Sequence, residues 1–346
     1  MTVSIFAALD IEEPAALLAY LRQGGHIAPD ETPALETLAG GVSSRTVRVT
    51  RPGGEAWVLK QSLARLRVRV EWYSDPVRVH NEATALRWLQ QLAPPGAVPA
   101  LIFEDHAQHL LAMQAVPQPH ANWKALLLAG GLAGRHVLAF GRLLGAIHRQ
   151  SSERLAELTP DFPNHDFFES LRLEPYYRYT AGQLPAAAEF LNSLIDETLA
   201  RRLALVHGDY SPKNILIHAD QLILLDHEVA HLGDPAFDVG FSLTHLLSKA
   251  HHLPAQRAAF GQAAEAYWAA YTQELGAVLW GAELEARAVR HTLACLLARV
   301  AGRSPLEYLT PEERARQQAA VLALLADAPV AVADLTERFL HQLEGR

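Results

Sequence analysis

Residues 207–214 read HGDYSPKN, and LLDHE follows at 224–228. Asn214 thus stands five residues after Asp209, and Asp226 twelve residues after Asn214. Phosphoryl transfer from a nucleoside triphosphate asks for such a set. The reaction depends on positioning and charge neutralisation more than on covalent chemistry. It needs a carboxylate to orient a hydroxyl and accept its proton. It needs a few hard oxygens to hold Mg2+ against the phosphates, and one Asp with one Asn can supply them. A cation on the phosphates, fixed by an acidic partner, completes the requirement.

These side chains need elements that bring them together. Asp209 follows the apolar run ALV and sits on a strand-to-loop exit. The stretch ILIHADQLILLD reads as a hairpin turning at His218–Gln221. Asn214 precedes its first strand and Asp226 ends its second, so both lie at the open end, beside Asp209.

Upstream, ALETLAG, SRTVRVTR, EAWVLKQ, ALIFED and HLLAMQAV read as strands, and RPGG marks a hairpin turn between the second and third. Residues 11–23 and 76–92 read as helices; Pro14 is tolerated near the start of the first, and the Pro94-Pro95-Gly96 cluster stops the second. Beyond the hinge-like QAVPQP, residues 122–149, 186–201 and most of the chain from 236 show helical periodicity. The aromatic-rich stretch 162–179 reads as a loop. The pattern is an α+β chain, a small β-rich lobe over 1–116 followed by a larger, mostly helical lobe over 117–346.

Composition narrows the function classes. The 346 residues are half hydrophobic, with 30 basic and 38 acidic side chains and a net charge of −8. No basic nucleic-acid footprint is indicated. The single cysteine, Cys295 in LACLLARV, allows neither an intramolecular disulfide nor a cysteine-based metal site. The 17 histidines include no H-E-x-x-H, and the adjacent His251 and His252 diverge on a helix. No basic leader and no apolar run long enough to span a bilayer is found. The expectation is a cytoplasmic protein whose partners are small molecules rather than nucleic acid or membrane, with its oligomeric state left open.

The Asp-x4-Asn spacing followed by a further Asp is that of H-R-D-L-x-x-x-N and D-F-G in protein kinases, with Gly208 in place of the Arg. VHGDYSPKNILI, LLDHEVAHLGDPAFDVGF and the upstream WVLK and NEATALRWL stand in a familiar order. The chain resembles the aminoglycoside phosphotransferase and choline kinase-like family of small-molecule kinases, a group that also includes methylthioribose and homoserine kinase-like enzymes. The resemblance covers roughly residues 35–310 and is most specific over 205–243. It implies a bilobal, protein-kinase-like fold that uses ATP and Mg2+. It assigns Asp209 as catalytic base, Asn214 and Asp226 as Mg2+ ligands, Lys60 as the lysine on the ATP phosphates and Glu82 as its partner. The residues themselves agree, since a lysine ending an apolar strand needs a reason that an acidic side chain on the next helix can provide. The fold also implies that adenine meets the linker backbone around Met113–Val116, including Gln114 and Val116.

Departures from the kinase pattern are informative. Asp226-His227-Glu228 replaces Asp-Phe-Gly, and neither an Ala-Pro-Glu motif nor a long activation loop follows. This argues against a protein substrate and against control by loop phosphorylation. Glu228 falls on the same side of an extended segment as Asp226 and is either a further Mg2+ ligand or a hydrogen-bonding partner. In AGGVSSRTVRV, Gly40-Gly41 and Ser43-Ser44 replace a G-x-G-x-x-G loop. Gly41 and Ser43 either cradle phosphates or form a plain turn. Lys213 either reaches the transferred phosphate or is solvated. His207 braces the loop rather than carrying protons. Asp238 supports it, as a helix cap or, by the resemblance, as acceptor of backbone N–H groups from the catalytic loop. Asp234 is a turn residue or lines the acceptor site.

Two stretches could hold the acceptor. LRLEPYYRYT carries Arg172, Tyr176, Tyr177 and Arg178; ARVAGRSPLEYLT carries Arg299, Arg303 and Tyr308. Their arginines suit a phosphate, a carboxylate or sugar hydroxyls, and the alternative is that they pack helices. Tyr177, Arg299 and Arg303 are the candidates here. No run of acids demands a polycationic acceptor. The expected function is Mg-dependent transfer of the γ-phosphate of ATP to a hydroxyl of a sugar, amino alcohol or aminoglycoside-like molecule. The alternatives are a nucleotide-binding pseudokinase without turnover and a protein kinase.

Overall fold

The computed structural model describes residues 9–39, 42–67, 71–278 and 283–344. The chain divides into two compact units. One holds the described residues up to Trp88 together with Pro99–Pro117; the other holds Leu89–Val98 and the chain from Gln118 onward.

The first unit is built on an antiparallel sheet of β1 (Ala34–Thr37), β2 (Ser44–Thr50), β3 (Ala56–Ser62), β4 (Leu101–Asp105) and β5 (Leu110–Gln114), in the order β1-β2-β3-β5-β4. Two helices cover it, α1 (Pro14–Gln23) and α2 (Arg78–Leu92). Side chains alternate across a strand with period two, which sorts each strand between two cores. Trp57 and Leu59 of β3, with Leu110 and Ala112 of β5, pack with Leu17 and Leu21 of α1. Leu111 and Met113 of β5, with Val58 of β3, pack with Val79, Ala83 and Leu86 of α2. Lys60 shares parity with Val58, so the pleat turns it toward α2. The RPGG segment is the expected hairpin turn: Gly54 donates to Arg51 O at 2.9 Å with φ +88°.

In the second unit, β6 (His120–Asn122), β8 (Ile215–His218) and β9 (Gln221–Leu224) form one small antiparallel sheet, and β7 (Ala204–Val206) pairs with β10 (His231–Gly233). The expected catalytic hairpin is β8–β9. Ala219 and Asp220 at its tip have φ of +47° and +66°, the sign a two-residue hairpin turn needs at both positions. The helix expected over 122–149 is two helices, α3 (Trp123–Leu128) and α4 (Gly134–Glu153), separated at Gly130, whose φ is +86°. Gly141 and Gly145 of α4 let the helix Arg257–Leu275 approach closely. A Cβ on Gly141 would stand 2.5 Å from Tyr267 O, and one on Gly145 2.7 Å from Tyr271 O.

The aromatic stretch 162–179 is not a loop. It folds as the short helix Asp166–Phe168 and a π-helical segment, Glu169–Arg178, with Pro175 inside. A proline removes one backbone donor and crowds the preceding turn, and the wider π turn tolerates both. Leu171, Leu173, Tyr176 and Tyr177 are buried there, which the loop reading missed because the proline broke the helical pattern.

Candidate active site

Asp209 lies on the loop that leaves β7, and the loop is held by its own backbone. Asp238 accepts from His207 N at 2.6 Å through Oδ2 and from Gly208 N at 2.8 Å through Oδ1. Asp238 is fully buried, in the helix Ala236–His252 whose N-cap is Pro235; its carboxylate thus holds the loop and is not the cap. Burial opposes its charge, but His148, 3.4 Å away, and then His207 and the loop N–H hold its carboxyl below the ordinary value. His207 accepts from Asp209 N at Nδ1, 3.1 Å, which leaves Nε2 to donate to Leu225 O, also at 3.1 Å. Burial lowers the pKa of its imidazole. His207 is therefore a neutral brace between the two segments that carry Asp209 and Asp226.

Gly208 has φ +76°, and a Cβ there would stand 2.8 Å from Val229 Cγ2. This is why glycine occupies a position that is arginine in protein kinases: the loop passes against Val229 in a left-handed conformation.

The β8–β9 register does the rest. Ile215 pairs with Leu224, so Asn214 falls opposite Leu225, and Leu225 N donates to Asn214 O at 2.9 Å. Asn214 Nδ2 donates to Asp209 O at 3.0 Å, which leaves Oδ1 as the free end of the amide. Asp226 follows with φ +70°, a costly conformation for a non-glycine residue and one found where the surroundings fix a functional side chain. Asn214 and Asp209 are 4% and 6% exposed.

Glu228 is buried but does not lie on an extended segment. Residues 228 and 229 form a turn, with Ala230 N donating to His227 O at 3.1 Å. The same-side argument for Glu228 as a partner of Asp226 therefore fails, although Glu228 remains close enough to act on the charge of Arg172.

Arg172 has a contact with Asp209 that sequence reasoning did not foresee. It lay in a stretch read as acceptor-binding, yet Nη2 stands 2.9 Å from Asp209 Oδ2, Nε donates to Gly208 O at 2.7 Å and Nη1 to Leu171 O at 2.8 Å. The arginine is buried. Burial disfavours its charge, but Asp209, then Tyr176, Glu228 and Asp226, hold its pKa above the ordinary value. Its signal in the sequence was a buried-face arginine inside a helical segment that did not look helical. The half-exposed Lys213 stands 3.9 Å from the same Oδ2, and Asp209 raises its pKa.

In the first unit, Lys60 Nζ donates to both carboxylate oxygens of Glu82, at 2.8 and 2.6 Å. The two residues are 8% and 1% exposed. Ser43 O accepts from Leu63 N at 2.9 Å and from the buried Arg78. Gly41 lies outside the described residues. At the end of β5, Gln114 N is engaged with Ala100 O at 2.8 Å; Val116 is buried.

Three of the expected acceptor residues serve packing or ion pairing. Tyr177 is fully buried, its hydroxyl 2.8 Å from His291 Nδ1 and 3.2 Å from Cys295 Sγ, so it is a core residue. Asp234 is a turn residue that receives Ala236 N at 3.0 Å and pairs with Arg287 at 2.9 Å. Arg303 is exposed over the ring of Tyr179, 5.3 Å from its centroid. Arg299 is buried, and its Nη1 donates to Tyr176 Oη at 3.1 Å and to Ser304.

A small antiparallel sheet unit followed by a helical unit with a β-hairpin is the fold of small-molecule phosphotransferases. The amicoumacin kinase hAmiN, solved with AMP-PNP, Ca2+ and Ami, matches with TM-score 0.60 and 16% identity over 92% of this chain and 96% of that one. A choline/ethanolamine kinase family protein from Mesorhizobium loti matches with TM-score 0.54 and 16% identity over 95% and 98%. The chain belongs to the phosphotransferase enzyme family, whose model matches residues 34–275. Among curated relatives, methylthioribose kinase 2 of Oryza sativa subsp. japonica is 25% identical over 277 residues, which is 68% of this chain and 62% of the relative. The chain thus matches less than two thirds of the length of that kinase. No helix among the described residues is long and apolar enough to cross a membrane.

Proposed function

We propose that the protein is an ATP-dependent kinase of a small-molecule alcohol. The observation that carries this reading is the β8–β9 register, in which Asn214 falls opposite Leu225, the residue before Asp226, while the Asn214 side chain bonds to the backbone of Asp209. Family membership and the likeness to kinases support it.

The residues fit a hard cation. Asn214 through Oδ1 and Asp226 through its carboxylate offer oxygen atoms, the donors that Mg2+ takes alongside phosphate oxygens and water. When bound, Mg2+ would neutralise charge on the β- and γ-phosphates. Arg172 occupies Oδ2 of Asp209, which leaves Oδ1 to accept the proton of the acceptor hydroxyl. The hydroxyl oxygen then bonds to the γ-phosphorus as the bond to the ADP oxygen breaks. Arg172 and Lys213, both beside Asp209 Oδ2, would add positive charge for the transferred group, and Lys60, held by Glu82, would supply the cation for the ATP phosphates.

The reading is tested by incubating the full chain with ATP, Mg2+ and a panel of sugars, amino alcohols and hydroxy acids, and following phosphomonoester formation by phosphorus NMR. A new ester that requires Mg2+ is expected. ATP binding with no ester from any member of a broad panel counts against it.

A further inference from the structure

The second unit holds two buried cations, Lys249 and Arg299, that the reading above does not use. Lys249, in the helix Ala236–His252, is fully buried, and its ammonium donates to His245 O of its own helix at 3.1 Å. Among the described residues no carboxylate lies within ion-pair distance of Lys249 or of Arg299. Glu307 is the carboxylate that acts on Lys249, and it is engaged by Lys124. Burying an ammonium with no carboxylate in contact is costly, and an anion bound beside it would offset that cost.

The cations lie at two tyrosine rings, and Arg172 ties the first of them to Asp209. Arg172, paired with Asp209, has its guanidinium 5.9 Å from the centroid of Tyr176, and Arg299 lies 5.5 Å from the same centroid. Lys249 and Lys124 stand 5.6 and 5.9 Å from the centroid of Tyr308. Lys124 is engaged by Glu307. Two donors are left over: Tyr308 Oη and Arg299 Nε are buried with no hydrogen-bond partner among the described residues. Burial, then Lys124, push the pKa of Lys249 down to about 7; Glu307 opposes them and Arg299 adds to them. An anion placed among these groups would pair the buried ammonium and use the spare donors.

We propose that the acceptor is an anionic alcohol, whose carboxylate or phosphate group is held by Lys249 and Arg299 while its hydroxyl meets Asp209. The proposal rests on the kinase reading and adds the substrate class to it. A choline-like or polyamine acceptor would carry its charge toward like charges, which costs affinity and specificity alike.

Matched acceptors test this with the full chain, ATP and Mg2+: glycerol, glycerate and glycerol 3-phosphate, then ribose, ribonate and ribose 5-phosphate, with choline as the cationic member. The charged member of each series should have kcat/KM about 100-fold above its neutral counterpart, the scale on which losing one partner of a buried charge pair is felt. The better of the acid and the phosphate identifies the anion. In Lys249→Met that ratio should fall to within about tenfold, and the thermal midpoint of the variant without ligand should rise, because an unpaired buried charge has been removed. A structural lysine would give the opposite shift in midpoint. Equal or better turnover of ribose, glycerol or choline overturns the proposal while leaving the kinase reading standing, as does an unchanged ratio in Lys249→Met. If no acceptor in the set is phosphorylated, calorimetric binding of the same compounds in the presence of the non-hydrolysable analogue AMP-PNP decides. Tighter binding of the anionic members that Lys249→Met abolishes supports the proposal, and no preference refutes it.

Discussion

Arg172 Nη2 lies 2.9 Å from Asp209 Oδ2, while Nε of the same guanidinium holds the carbonyl of the neighbouring Gly208 at 2.7 Å. One planar group therefore fixes both the carboxylate proposed as base and the backbone that carries it. An ammonium cannot make this pair of contacts from one position. Arg172→Lys, which keeps the charge and loses the fork, should lower kcat about 100-fold with a much smaller change in ATP affinity. Steady-state kinetics with nucleotide binding measured separately will show this. Unchanged kcat would mean that charge alone suffices.

Asp238 binds two consecutive N–H groups of the loop and is itself braced by His148. Asp238→Ala leaves buried donors at His207 and Gly208, each of which costs about 1–3 kcal/mol when unsatisfied. Urea unfolding should report a loss of about 3 kcal/mol or more, accompanied by a fall in kcat because Asp209 follows directly. Full activity in this variant would show that the loop holds its shape by other means.

In the first unit, Lys60→Ala removes the ammonium that both oxygens of Glu82 engage. Breaking a buried pair from one side costs about 3–5 kcal/mol in general, and the stability loss should approach that range. KM for ATP should rise as well. Lys60→Ala with an unaltered KM for ATP would separate the pair from nucleotide binding.

Lys249 gives a pH signature. Burial, the largest cause, followed by Lys124, pushes its folded pKa down to about 7, whereas an unfolded lysine titrates near about 10.4. Between these values the unfolded chain holds the proton and the folded chain has released it. Stability therefore rises with pH through that window, at no more than about 1.4 kcal/mol per pH unit for one group. Below pH 7 both states are protonated and the burial penalty is fully present. Subtracting the unfolding free energies of Lys249→Met from those of the wild type across pH 7–10 should reveal this slope, and a flat difference would place the ammonium in water.

Much of the frame was legible in the sequence because short-range signals carried it. The strands of the first unit announced themselves by apolar runs between turn residues, and the spacing from Asn214 to Asp226 required a hairpin with a two-residue tip. What stayed hidden depends on long-range contact. Strands β6 and β10 have three residues each and exist only through their partners. Pro175 concealed a helical segment, and with it the direction in which Arg172 points. Tyr177 was a candidate for the acceptor site and packs against His291 and Cys295, more than a hundred positions along the chain. Glu228 was placed by assuming an extended backbone that the left-handed Asp226 and the following turn do not allow.

As proposed, Asp209 takes the proton of an alcohol that ATP phosphorylates, and this role is open to direct measurement. It is tested most directly by comparing wild type and Asp209→Ala in a phosphorus NMR assay of ester formation, with ATP binding measured calorimetrically on both. The wild type should form a Mg-dependent phosphomonoester. Asp209→Ala should lose about a thousandfold or more in rate, within the range general-base removal produces, while its ATP affinity stays close to that of the wild type. Transfer by Asp209→Ala at the wild-type rate would contradict the mechanism.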